Sequence, residues 1–457
     1  MASRAAIAGA VVAIIVVIAA AAYIAGRGGA PAATSPAASP AAATTATGPA
    51  AGATTTATSP VATAPAATTT MQATATAGGL PKKIPIGLAI AVSGGYAVDG
   101  PRRLKGAQLA IKEMNDLLAK AGAPFRFVGI HEDTQGNPQK AVDVVKRFIA
   151  NGIQVIVGPL STSETAAVMP LANRYHVVVI SPSSTGEAAA KPNDYVFRVA
   201  PPDSKQGPAL ATIIYKLGYR KLAIIARNDD YGRGLATLVA DTFKKMGGEV
   251  KTILYQPDKP DLSAEVTQLA TVVQGFGADK QTAVLIIAFD NDGLQILQKA
   301  SKIPVLAKVR WFGPDSMARN TFIENPQVAE FLMKVHFLGT RPAIERNPVT
   351  KHFEEAYKAM YHEAPTPYAY YAYDAAWLAM LSVLVAGKYD GTAIKAVLPT
   401  VGAHYMGATG QKVFDKNGDC AIANYALWTV AKVDGKYVFK TIGMWHDATK
   451  TIEWFNK

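Results

Sequence analysis

IQVIVGPLSTSETAAVMPLANRYHVVVISPSST, residues 153–185, decides the fold. Its two apolar runs, residues 153–157 and 177–180, are short, rich in β-branched side chains and not interleaved with polar ones. Strands of that kind are buried on both faces of a parallel sheet. Residues 163–175 between them have a helix's length, and strand, helix, strand in about 30 residues is a βαβ unit. Both strands run out into small hydroxyl residues, Ser161-Thr162-Ser163 and Ser181-Pro182-Ser183-Ser184-Thr185. In an open α/β sheet ligands bind outside the carboxyl ends of the strands. The first loop also opens a helix, whose free N–H groups favour an anion. One such loop reads as N-caps and turn residues. Two at neighbouring strand ends favour a pocket for a small carboxylate or another oxygen-rich group.

The alternation extends both ways. Upstream, residues 86–92 are strand-like and end in SGGYAVDG, residues 93–100. A helix follows with apolar residues at Leu104, Ala107, Ile111, Met114 and Leu118, the spacing of a core-facing stripe. A second strand, residues 125–130, leads to Asn137-Pro138, a cap and first-position pair, and to another helix with a stripe at Ala141, Val144, Val145, Phe148 and Ile149. Downstream of Asp203 the pattern resumes, with strands at 221–226, 250–255, 282–289 and 309–312 and helices between them. Two sets of βα units, divided near residue 203, predict an α/β protein of two Rossmann-like lobes. Residues 348–361 and 368–386 are helical, and the tail from 413 is rich in strands, with a hairpin turn at Asp434-Gly435.

The chain has 457 residues, 49% of them hydrophobic, and a net charge of +12. Its first 80 residues contain Arg4, Arg27 and no acidic residue. Residues 5–25 carry no charge; as a helix they reach about 30 Å, the thickness of a bilayer's hydrocarbon. Residues 1–27 are therefore expected to be a membrane anchor or a signal segment, with too few residues before the span for a signalling domain. Residues 28–82 are almost wholly Ala, Thr, Pro, Ser and Gly, a composition that cannot bury a core and reads as a disordered stalk. Anchor and stalk place the remaining residues outside the membrane, tethered to its outer face. Basic residues are spread thinly with no Lys/Arg block among aromatics, which argues against a nucleic-acid partner. Cys420 is the single cysteine, so no internal disulfide forms.

No phosphate-binding Gly-rich loop, dinucleotide fingerprint or nucleophile elbow is present. His131, His176, His336, His352, His362, His404 and His446 never fall at metal-ligand spacing. No cofactor, metal or catalytic residue is expected, and His131-Glu132-Asp133 reads as a strand-end turn. Asp315 follows a strand end in the second half, where a carboxylate can face the first half across a cleft. Tyr96, Tyr231 and Phe289 fall at strand ends or helix starts and can wall a pocket. Hydroxyls on one lobe, a carboxylate on the other and aromatics between suit a zwitterion, its carboxylate on Thr162 and Thr185 and its ammonium on Asp315. No Arg or Lys is expected to adjoin these positions to receive an acidic side chain, so an apolar amino acid is the expected ligand.

SGGYAVDG with GAQLAIKEMN, then EDTQGNPQKAV, GPLSTSETAAVMPLA, ISPSSTG, FRVAPPDSKQGPALA, DYGRG and YDAAW occur in that order across residues 84–440. In these stretches the chain resembles the type I periplasmic binding proteins of the leucine/isoleucine/valine-binding branch. The resemblance implies two lobes, 83–202 with 339–419 and 203–338 with 420–457, joined by a three-stranded hinge with crossovers near 202, 338 and 419. It implies ligand contacts from Ser161, Thr162, Ser163, Ser183 and Thr185 on one lobe, and Tyr231, Phe289 and Asp315 on the other; the reading of the loops themselves adds Ser184 and Tyr96 to the expected site. It also implies partnership with an ABC permease and its ATPase subunits. Asp99 stands where the branch often has Tyr, and Ser183-Ser184 where it has Gly-Ala. Two other classes remain open: a binding protein for amides, urea or another polar solute, and a ligand-sensing ectodomain. An extracellular enzyme is disfavoured by the lack of a nucleophile–base pair.

Overall fold

Runs of β-branched residues need cover on both faces, and two separate sheets provide it. The structure, a computed structural model, describes residues 80–455 apart from 258, 345 and 422. The expected anchor and nearly all of the expected stalk lie outside the described residues. The first part of the chain forms β1 (Lys83–Ala89), α1 (Gly100–Lys120), β2 (Arg126–Glu132), α2 (Pro138–Ala150), β3 (Val155–Val157), α3 (Thr162–Tyr175), β4 (Val178–Ser181) and β5 (Val196–Arg198). These strands make a five-stranded parallel sheet in the order β2-β1-β3-β4-β5. Side chains alternate across it: Ile84, Ile86, Val155, Val178 and Ile180 pack toward α1, while Ala89, Ile156, Val177 and Val179 pack toward α2 and α3.

The chain then builds α4 (Asp203–Lys216), β6 (Lys221–Arg227), α5 (Asp230–Lys245), β7 (Glu249–Tyr255), α6 (Ser263–Gly275), β8 (Thr282–Ile287), α7 (Asp290–Ala300), β9 (Arg310–Gly313), α8 (Asn320–Glu324), α9 (Pro326–Lys334) and β10 (Leu338–Pro342). Next, α10 (Pro348–Tyr361), α11 (Pro367–Ala386) and α12 (Gly391–His404) return to the first sheet, where α11 packs on α1, β3 and β4. The chain ends in β11 (Tyr425–Val433), β12 (Lys436–His446) and β13 (Thr451–Trp454). The second sheet has the order β13-β12-β11-β10-β9-β8-β6-β7; β7, β6, β8, β9 and β10 are parallel and β11–β13 are added antiparallel.

The crossing expected near residue 338 falls after Pro342, because β10 pairs with both β9 and β11 in the second sheet. The crossing near 419 is pinned by charge. Arg198 at the end of β5 grips Asp419 at 2.5 and 2.6 Å, and both side chains are almost wholly buried. α11 is long and apolar enough to span a membrane, but its buried residues run from Tyr368 to Leu384, so it is a core helix of the first sheet.

Candidate functional site

Two sequence features place the hydroxyl loops. Gly158 has φ +105, and a Cβ there would lie 2.1 Å from the carbonyl oxygen of Ala89, so only glycine lets the loop after β3 lie against the end of β1. Ser161 then caps α3. Its hydroxyl accepts from Glu164 N at 3.2 Å, while the Glu164 carboxylate takes Ser161 N at 3.0 Å and Ser161 Oγ at 2.7 Å, a full capping box. The loop after β4 is tied to the same place. Ser183 Oγ donates to Leu160 O at 2.7 Å, Ser181 Oγ donates to Pro159 O at 2.6 Å, and Gly186 N donates to Thr162 Oγ1 at 3.0 Å.

The second sheet brings its strand ends opposite. Asp229 caps α5 through Gly232 N, which sets Tyr231 in the first turn. Tyr231 stacks on Phe289 at 5.3 Å between ring centroids, and Tyr96 from the first half meets the same ring at 5.6 Å. The turn after β9 presents Asp315 and Ser316, and Tyr231 donates its hydroxyl to Ser316 Oγ at 3.0 Å. A cavity lies between the two sheets, lined by Tyr96, Ser161, Thr162, Ser183, Thr185, Tyr231, Phe289 and Asp315. A neighbouring cavity shares Asp315, Arg319 and Tyr368 with it. Two residues named from sequence stand outside the lining. Ser184 is buried behind its loop, its N–H on Ser181 Oγ at 3.0 Å. Ser163 turns to the neighbouring half, where its Oγ accepts from Asp230 N at 3.4 Å.

The expectation that no basic residue adjoins the site is overturned. Arg103 and Arg319 line the cavity with Leu160, Ser316 and Tyr368. Arg103 comes from α1 and Tyr368 from the first turn of α11, distant in sequence from the hydroxyl loops, whereas Arg319 follows Asp315 by four residues in the turn before α8 and was overlooked there. Arg103 is 1% exposed and donates to Ser183 Oγ at 2.7 Å and to Asp99 Oδ2 at 2.7 Å. Arg319 reaches the same Asp99 oxygen at 3.0 Å from the other half. Burial pushes the Asp99 carboxyl up, but the two guanidiniums outweigh it and hold it down to about 2. One signal for Arg103 was legible: it falls on the apolar stripe of α1 with Ala107, Ala110 and Met114, four residues after an aspartate.

Asp315 is 7% exposed. Its Oδ2 accepts from the Tyr368 hydroxyl, and its Oδ1 is buried with no partner among the described residues. Behind it lies Asp203, fully buried, with the Asp203 N–H on Thr185 O at 2.8 Å. Burial, and then the charge of Asp315, push the Asp203 carboxyl well above the ordinary range. The same two causes, in the same order, raise the hydroxyls of Tyr231 and Tyr368. All three groups are therefore pushed toward their neutral forms around Asp315. Among the described residues no group of three or more His, Cys, Asp or Glu is placed to hold a metal. The arrangement can hold a small dipolar molecule; nothing in it forms a nucleophile–base pair.

A family model described as periplasmic binding protein matches residues 83–436, and the chain belongs to that family. It is a solute-binding protein of the ABC-transporter kind, not an enzyme, and its family acts outside the cytoplasm together with ABC permeases. An uncharacterized protein of Methanocaldococcus jannaschii is 28% identical over 390 residues, 81% of this chain and 91% of the relative. A leucine-, isoleucine-, valine-, threonine-, and alanine-binding protein of Pseudomonas aeruginosa is 26% identical over 80% of this chain and 91% of its own length. Among solved structures, the branched-chain amino acid transporter substrate binding protein LivJ of Streptococcus pneumoniae, in complex with isoleucine, superposes with a TM-score of 0.63. That pair is 24% identical, covering 79% of this chain and 100% of the other.

Proposed function

We propose that the protein captures an amino acid with an apolar, branched-chain-like side chain for an ABC importer, in the cavity between the two sheets. The observation that carries the reading is the opposition of groups across that cavity. Hydroxyls of Thr162 and Thr185 stand on one side, and the buried, unpartnered Oδ1 of Asp315 stands on the other. A zwitterion satisfies both, and the rings of Tyr96, Tyr231 and Phe289 wall the space between. The names of the Pseudomonas and Streptococcus proteins agree with this ligand class.

On this reading the lobes are residues 83–202 with 343–419 and 203–342 with 420–457, and the solute bridges them and stabilises their closed arrangement. Residues 5–25 hold the binding lobes at the outer face of the membrane through the stalk of 28–82, which keeps them concentrated near their permease. The test is a panel of amino acids, amides, urea and nucleosides read by thermal melting and calorimetry. A bound solute at 100 times its Kd stabilises by about 2.7 kcal/mol. Stabilisation by leucine, isoleucine or valine, with none from urea or nucleosides, is the expected result. Failure of every amino acid to stabilise the protein sinks the proposal.

A further inference from the structure

We infer that Arg103 is the residue that receives the solute's carboxylate, and so sets the preference for acids over their amides. The inference rests on the proposed amino-acid reading for its first probe but not for its logic, which needs only a carboxylate. The N-terminus of α3, the obvious anion site, is already occupied from within. Ser161 gives both its N–H and its hydroxyl to the fully buried Glu164 carboxyl, so a second anion placed there meets a carboxyl already in position. Nor are the serine hydroxyls free to donate. The Ser161 proton goes to Glu164 and the Ser183 proton to Leu160 O.

Arg103 supplies what those groups cannot. It lines the cavity beside Thr162, Ser183 and Thr185. Its guanidinium lies over the rings of Tyr96 and Tyr368, at 5.2 and 4.5 Å from their centroids, which fixes the plane of its donor fork. Among the described residues its one carboxylate partner, Asp99, is shared with Arg319. Of its five N–H groups, Nε serves Asp99 Oδ2, one on Nη1 serves Ser183 Oγ and one on Nη2 faces Asp99 Oδ2 at 2.6 Å, which leaves donors to be used. Arg319 is the weaker candidate, because its donors already serve Asp99 and Ser316 O and its charge is also faced by Asp290 at 3.5 Å. A carboxylate on Arg103 and an ammonium on Asp315 then bind opposite sides of one cavity, which is what a bridging solute requires.

The test compares leucine with leucinamide, which differ only in the group Arg103 reads, on the full chain and on Arg103→Met and Arg103→Lys. In the parent, leucine binds about tenfold to a hundredfold more tightly than its amide, the range of a charge-assisted pair. Arg103→Met reduces that ratio to within about threefold, and Arg103→Lys keeps part of it. A purely structural role weakens both ligands by the same factor, and that result overturns the inference, as does an unchanged ratio. If Arg103→Met does not fold, the Arg103→Lys ratio decides alone. If the parent binds no amino acid, the proposed function has failed separately, and benzoate against benzamide makes the same comparison. A parent that binds no amino acid and no benzoate overturns both.

Discussion

Replacing Asp315 by Asn separates what that carboxylate does for the solute from what it does for the fold. Asn has nearly the same volume and its amide oxygen can still accept the Tyr368 hydroxyl, so the change removes charge and little else. In the empty protein that charge is a burden: its Oδ1 is buried with no partner among the described residues, and after burial it is what pushes the Asp203 carboxyl up. The melting temperature of the empty variant should therefore equal or exceed the parent's. With solute bound, a charge-assisted hydrogen bond worth about 1.5–3 kcal/mol disappears, and at about 1.4 kcal/mol per decade the Kd rises tenfold to a hundredfold. Calorimetry with the amino acid selected by the panel measures that ratio directly. A variant that binds as tightly as the parent shows that no ammonium meets Asp315, and the solute is then a neutral polar molecule such as an amide or urea. A variant that loses stability before any solute is added refutes the assignment of the charge as a burden.

Asp203→Asn should raise the melting temperature near neutral pH and lose that advantage in acid. The folded carboxyl has a raised pKa, so its contribution to stability is complete below the ordinary carboxylate value of about 3.9 and drains away as pH rises through the folded value. A constant difference between variant and parent across that pH range would falsify the assignment. Arg198→Met strands a buried carboxylate at Asp419 and should cost about 3–5 kcal/mol in denaturant unfolding; a loss below about 1 kcal/mol means the crossing is held by other contacts. Gly186→Ala places a Cβ 2.8–2.9 Å from the Thr162 side chain and should weaken solute binding severalfold with only a small change in melting temperature. Small-angle scattering should give a smaller radius of gyration with solute than without, and an unchanged radius at saturation speaks against lobe closure.

The parallel core of both sheets was legible because burial on both faces forces a continuous β-branched run, as in Val155–Val157 and Val178–Ser181. The Asn137 cap was legible because its chemistry is local: the side chain accepts from Gln139 N and Lys140 N. The Asp434-Gly435 turn likewise needs two residues at positive φ, which both adopt. β5 was not legible, since Val196–Arg198 is too short to show a period, and α12 was hidden by a glycine at its start and Pro399 within it. The hydroxyl loops could be paired because they end adjacent strands. Arg103 and Tyr368 reach the cavity through the packing of α1 on α11 and the meeting of the two halves, which no local pattern encodes; Arg319, four residues after Asp315, was within local reach.

α11 carries one further consequence, and it concerns the journey rather than the destination. A protein that works outside the cytoplasm passes a membrane on its way, and α11 in transit is a 20-residue segment apolar enough to lodge there. Near its middle stands Asp374. Folded, that carboxylate holds the backbone N–H groups of Ala408 and Thr409 at 2.7 and 2.8 Å, with Lys412 at 3.9 Å. Unfolded, it opposes insertion by about 2.5–3.5 kcal/mol at the bilayer centre, against about 0.3–0.6 kcal/mol gained by each Leu or Val. The residue that anchors a loop in the finished molecule also acts as a passport for the unfinished one, letting a hydrophobic core helix cross without being stopped at the border.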